Sequence, residues 1–157
     1  GGEFMDHDLL EEIINQHLNL IYRIAIQNVK NEADVQDICQ EVLIKLMKQK
    51  NFENEQQMKS WLVKVTINQC KDHYRKAWFK KRVTFEENQF IFTPKQDQML
   101  DLLKQLPMDE RNILYLHYYE GYTIKEIGIM LNKNPNTISS KLQRARKKLI
   151  MEVEKNE

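Results

Sequence analysis

Cys70 and His73 stand three residues apart in a stretch with helical periodicity, so a sulfur and an imidazole could share one helix face, and Cys39 could add a third ligand. A tetrahedral zinc site needs a second pair, which the sequence does not offer, so no metal is expected. His7, His17 and His117 lie too far apart to suggest a site, and His17 falls on an apolar stripe where a packed histidine is the commoner arrangement. There is no glycine-rich phosphate loop and no nucleophile elbow. The chain is therefore expected to catalyse nothing, to need no cofactor and to have no small-molecule substrate. The chemistry that remains is recognition.

The strongest recognition pattern lies near the C-terminus. Asn136, Ser140, Gln143 and Lys147 share one helical face, flanked by Ser139 and Arg144. Arg and Gln can make paired hydrogen bonds to guanine and adenine edges, while Ser and Asn adapt to either. Lys141, Arg146, Lys147 and Lys148 suit phosphates. Behind that face Ile138, Leu142, Ala145 and Leu149 form one narrow apolar stripe. The elements that would position it can be read locally. Thr123-Ile124-Lys125-Glu126 is a capping box that starts a short helix, Ile124 to Leu131. Asn132 stands where a left-handed residue is wanted, and Asn134-Pro135 supplies an N-cap followed by proline at the first helical position. Thr123 to Leu149 thus reads as a DNA-binding helix-turn-helix. A basic helix alone would be an ordinary solvated face; cap, turn and second helix together outweigh that reading.

Two further clusters are less specific. Lys71, Arg75, Lys76, Lys80, Lys81 and Arg82 are interleaved with His73, Tyr74, Trp78 and Phe79. Cations beside aromatics can hold a phosphate backbone and stack unpaired bases, although the same residues could cover a core and solvate its rim. Asp34, Asp37, Gln40 and Glu41 gather acceptors on one helical face, away from Val35, Ile38 and Val42. Taken alone, they are equally a solvated acidic face.

The 157 residues contain four glycines and three prolines, and apolar residues recur at helical spacing, which predicts an all-α fold. A first helix is expected from Asp6 to Asn28, with Leu10, Ile13, Ile14, His17, Ile21, Ile24 and Ala25 on its stripe. A second opens at Asn31 and buries Val35, Ile38, Val42 and Leu46. The polar stretch Asn51 to Gln57 breaks the pattern. A long helix follows from Met58 to Lys81, with Trp61, Leu62 and Val65 giving way to Tyr74 and Trp78. Periodicity lapses from Val83 to Lys95, around Pro94, as in a linker between two small helical domains. Beyond it come a helix with Leu100, Leu103 and Leu106, a break at Pro107, and a helix through Ile113, Leu114 and Leu116 that stops near Gly121. Net charge is only +1, so a nucleic-acid role rests on how the charges are distributed. Two cysteines, no secretory signal and no apolar run of membrane-spanning length place the chain in the cytoplasm without membrane insertion. Gly1-Gly2-Glu3-Phe4, just before Met5, reads as an expression scar.

Together these residues resemble the extracytoplasmic-function (ECF) group of bacterial RNA polymerase sigma factors. In the C-terminal half the matches are Leu106-Pro107, Arg111, Glu120-Gly121, Glu126-Ile127, Thr137 and Arg144-Ala145-Arg146. In the N-terminal half Asp34, Asp37 and Gln40-Glu41 resemble the polymerase-binding helix, and Trp61-Leu62, Asn68, Asp72 and Arg75 the promoter-melting helix. The resemblance runs from about Leu9 to Leu149. It implies a promoter-melting domain (sigma region 2) over 6–82, a linker over 83–95 and an upstream-element domain (sigma region 4) over 96–154. It assigns the upstream (−35) element to Asn136, Thr137, Ser139, Ser140, Lys141, Gln143, Arg144, Lys147 and Lys148. The downstream (−10) element falls to Asn68, Lys71, Asp72, Arg75 and Lys76, an unpaired base to the loop Asn51 to Gln57, and the polymerase clamp to Asp34, Asp37, Gln40 and Glu41. The implied partners are core RNA polymerase, promoter DNA and an anti-sigma factor. Ser139, Gly128 and Lys133 depart from the family pattern, which usually has a basic or larger base reader, an alanine and an apolar turn residue there. The competing readings are a stand-alone helix-turn-helix regulator, which would need dimer symmetry and usually a ligand or receiver domain, and a helical protein-binding decoy.

Overall fold

Asn31 shows how local chemistry divides the chain into helices: its backbone is extended, and its side chain accepts the Asp34 N–H at 2.9 Å, capping the helix that follows. The computed structural model describes residues 7–49, 51–81 and 98–155. Every regular element among them is helical. They are α1 (His7–Asn28), α2 (Glu32–Lys48), α3 (Glu55–Lys81), α4 (Gln98–Leu103), α5 (Met108–Leu114), a π-helical turn (Tyr115–Tyr119), α6 (Ile124–Leu131) and α7 (Pro135–Lys155). Contacts divide the chain into two units, Gly1–Phe92 and Thr93–Glu157. None of the described helices is long and apolar enough to cross a membrane. The expected linker, 83–95, lies outside the described residues, as do Arg82 and the side chains of Leu10, Trp78, Phe79, Lys80, Lys81 and Leu100.

In the first unit α1, α2 and α3 pack pairwise. Ile21, Ile24 and Ala25 meet Val35, Ile38, Val42 and Leu46 and the α3 residues Leu62, Val63, Ile67 and Cys70, all buried. Two expectations for α3 need correction. The helix starts three residues early, because Asn54 accepts the Gln57 N–H at 2.8 Å while Gln57 accepts the Glu53 N–H at 2.5 Å, so the loop is 51–54 and not 51–57. Its buried stripe runs through Met58, Leu62, Thr66, Ile67, Gln69 and Cys70, whereas Trp61 and Val65 are half-buried and Tyr74 is exposed. Thr66 is tolerated there because its hydroxyl donates to the Leu62 carbonyl at 2.6 Å.

His17 is buried on the α1 stripe, as its position predicts. Burial lowers its pKa, with the Lys59 charge acting in the same direction and Glu55 opposing. The fold therefore holds the neutral imidazole. As pH falls below the ordinary histidine value of about 6.5, the unfolded chain takes up a proton that the folded one refuses. This stabilisation is complete above that value and is lost as pH drops toward the lowered folded pKa. Both tryptophans, Trp61 and Trp78, lie in the first unit, so their fluorescence follows its melting. The melting temperature should fall between neutral pH and about pH 5, and His17→Gln should flatten that part of the profile. An unchanged slope in the variant would assign the dependence elsewhere.

In the second unit α7 is the hub, packing on α4, α5 and α6. Gly121, at φ +81°, ends the preceding helical run, where the sequence placed the stop. Gly128 permits the α6–α7 turn to fold tightly: a Cβ there would lie 2.8 Å from the Lys133 carbonyl oxygen, and the Gly128 carbonyl accepts the Lys133 N–H at 2.8 Å. Gly128→Ala should accordingly destabilise this unit by about 1 to 2 kcal/mol, despite alanine's better helix propensity. Urea unfolding followed by circular dichroism tests this; a gain in stability would show that the turn relaxes freely.

Candidate nucleic-acid interface

The helix-turn-helix forms from the local signals in its sequence. The Thr123 hydroxyl oxygen accepts the Glu126 N–H at 3.1 Å and the Glu126 carboxylate accepts the Thr123 N–H at 3.0 Å, completing the capping box. Asn132 is left-handed at φ 55°, and the Asn134 side chain accepts the Asn136 N–H at 2.8 Å to launch α7. Ile138, Leu142 and Ala145 are buried, and Leu149 is half-buried at the end of the same stripe.

The cations of α7 are less uniform than spacing suggests. Asn136, Thr137, Ser140, Gln143 and Lys147 are exposed, and among the described residues no acid pairs with Lys147. Ser139 is half-buried at the edge of the face. Lys141 reaches Asp109 of α5 at 3.0 Å, and Lys148 grips both Glu110 oxygens at 3.1 and 2.9 Å. Arg144 approaches Glu110 at 3.9 Å, and the Arg146 guanidinium stacks 5.0 Å from the Tyr118 ring centre. Sequence reading missed Asp109 and Glu110 entirely. They are adjacent acids just after Leu106-Pro107, with nothing local to connect them to α7.

Arg111, noted only as a family match, has a structural role. Its guanidinium donates to the carbonyls of Leu103, Lys104 and Leu106 at 3.1, 3.4 and 2.8 Å, closing the C-terminal end of α4.

In the first unit Asn68, Arg75 and Lys76 are exposed on α3, while Lys71 and Asp72 are half-buried, with Asp72 3.6 Å from Arg75. On α2, Asp37, Gln40 and Glu41 are exposed, whereas Asp34 is half-buried and held by His73 at 3.1 Å. Ile44 and Met47 are exposed on α2 as well, off its buried stripe. In the loop before α3, Phe52 packs edge-on against Trp61 at 5.5 Å. Cys70 is fully buried and burial pushes the Cys39 thiol pKa up, both unfavourable to metal binding. Among the described residues, the ligating group within mutual reach is His7, Asp8 and Glu11, all exposed and separate from the cysteines.

Comparison with known proteins assigns both units. The family model described as Sigma-70 region 2 matches residues 13–80, and the one described as Sigma-70, region 4 matches 96–149. RNA polymerase sigma factor SigV of Bacillus subtilis is 29% identical over 95% of this chain and 93% of its own. The ECF RNA polymerase sigma factor SigM of the same organism is 24% identical over 89% of this chain and 92% of its own. The chain belongs to the ECF group of sigma factors. It is thus a transcription factor that acts with RNA polymerase and not an enzyme. The fold of this ECF sigma factor matches that of the Bartonella quintana sigma factor RpoE, crystallised with the anti-sigma factor NepR. The TM-score is 0.74 at 24% identity, over 92% of this chain and 95% of that one.

Proposed function

We propose that this ECF sigma factor takes core RNA polymerase to its promoters by two DNA grips, one for reading duplex and one for opening it. The observation that carries the proposal is the exposed row Asn136, Ser140, Gln143 and Lys147, presented by a helix-turn-helix whose capping box and left-handed turn are both formed. Residues 96–154 act as region 4 on the −35 element, with Thr137, Ser139 and Arg144 beside that row. Residues 6–82 act as region 2 on the −10 element, joined through 83–95.

There Asn68, Lys71, Asp72, Arg75 and Lys76 follow the exposed strand, and the loop 51–54, braced by Phe52 on Trp61, receives an unstacked base. Unstacking costs a few kcal/mol, so a site that accepts the base only when flipped converts binding into opening without ATP. Asp37, Gln40 and Glu41, with Ile44 and Met47 beside them, dock on the polymerase clamp, and Asp34 contributes from its pair with His73. Each engagement raises the effective concentration of the next, so contacts that are weak singly suffice together. The factor works in the cytoplasm and is restrained by an anti-sigma factor that covers these same faces.

The test is reconstitution with core polymerase. The chain should co-purify with core, direct run-off transcripts from a subset of a genomic promoter library and render thymines near the start sites permanganate-sensitive. Binding that leaves the DNA duplex would favour a free-standing regulator. Core binding without promoter selection would favour a decoy.

A further inference from the structure

Lys141, Arg144 and Lys148 follow one another at three and four residues, forming a row on α7 turned toward α5. The outer row, Asn136, Ser140, Gln143 and Lys147, lies roughly a quarter turn around the helix from it. The acids opposite the inner row are well placed. Glu110 keeps only 11% of its side chain exposed and binds Lys148 through both oxygens, while Lys141, itself 22% exposed, binds Asp109. Each pair thus has one sheltered partner, Glu110 or Lys141, and one nearly half-exposed partner, Lys148 at 46% or Asp109 at 43%, so solvent and salt screen them less than fully exposed pairs.

We propose that Asp109 and Glu110 are specificity-determining residues: they act as built-in counter-ions that withhold Lys141 and Lys148 from phosphates. The recognition helix then discriminates through Asn136, Ser140 and Gln143 of its outer row and through the still-exposed Arg144, and less through bulk attraction. The inference rests on the DNA-reading role proposed for α7. Its physical basis is that phosphate contacts are indifferent to sequence. Each strengthens correct and incorrect sites alike and adds about 0.9 to the salt slope of binding. A cation already neutralised within the protein releases no counter-ion from DNA on binding. The same carboxylates repel a backbone that approaches in the wrong register. They thereby lower non-specific affinity more than specific affinity, and the ratio between the two governs promoter choice.

The experiment compares holoenzymes formed from core RNA polymerase and the full chain, wild type, Asp109→Asn or Glu110→Gln. Two fluorescent duplexes are titrated across a potassium chloride series: the upstream element of a promoter chosen by run-off transcription, and its scrambled sequence. Each substitution should steepen the salt slope by about 0.9. Affinity for the scrambled duplex should rise more than affinity for the promoter duplex, narrowing discrimination. Unchanged or shallower slopes would overturn the inference, since they would mean that the lysines never reach phosphate or that the acids aim them at it. Circular dichroism checks folding, and Asp109→Asn, at a side chain 43% exposed, carries the test if the Glu110 variant unfolds. A wild-type holoenzyme unable to tell the two duplexes apart would instead contradict the DNA-reading role itself, a result separable from the slopes.

Discussion

Arg111→Ala should destabilise the second unit by about 3 kcal/mol, the largest effect expected of any single substitution outside the apolar core. The guanidinium reaches three carbonyls at and just beyond the end of α4, a helix of six residues. Truncation leaves the buried Leu103 and Leu106 carbonyls without their charged donor, and it removes a cation from a helix C-terminus, where the dipole favours positive charge. For a unit of this size such a loss lowers the melting temperature by more than about 10 °C. The two units can be followed separately, because both tryptophans are in the first. The circular dichroism transition should therefore acquire a lower-temperature component while the tryptophan fluorescence transition stays in place. Arg111→Lys should recover part of the loss, since an ammonium keeps the charge but cannot span the same carbonyls. A single unshifted transition in Arg111→Ala would show that water or a neighbouring donor replaces the guanidinium at no cost.

The second large effect separates base reading from backbone attraction. Arg144→Ala should cost about 1 to 3 kcal/mol on the preferred promoter and relax the preference at one base position. Lys147→Ala should weaken binding to every duplex similarly and make the salt slope shallower by about 0.9. The structure gives a reason for choosing this pair. Lys147 is exposed, and among the described residues no acid offsets its charge, whereas the 3.9 Å approach of Glu110 leaves Arg144 59% exposed and able to reach a base. Binding selections on randomised duplexes with each variant holoenzyme provide the measurement. Equal losses on all sequences for both variants would remove Arg144 from the readers.

Gly128 and Ser139, two departures from the pattern that the resemblance implies, have different physical consequences. At Gly128 the missing Cβ makes room for the Lys133 carbonyl, so its role lies in the turn and precedes any DNA contact. Ser139 is half-buried beside the exposed row of α7 and carries a short side chain, so this part of the helix presents less reach than a larger residue would. The promoter preference of this factor is expected to diverge from that of its relatives at the base facing that position.

What the sequence determined by itself are the features that depend on near neighbours. The caps at Asn31 and Thr123, the left-handed Asn132, the stop at Gly121, the buried stripe of α2 and most of those of α1 and α7 follow from residues a few positions apart, although Ile14 and Leu149 are only half-buried and Leu20 and Ile26 of α1 are buried without having been expected. Hydrogen bonding and hydrophobic periodicity at that range are set before any helix meets another. Even so, a local rule failed at the start of α3, where the Asn54–Gln57 caps extend the helix into a stretch whose polarity suggested loop. The tertiary structure decided everything that depends on which side chains meet across helices. Asp109 and Glu110 lie 32 and 38 residues from the lysines they hold, and Arg111 acts on the end of a different helix. Spacing within α7 shows where its cations lie around the axis. Only the packing of α5 against α7 decides which of them are paired within the protein, because a charge is free or neutralised according to what stands within a few ångströms of it.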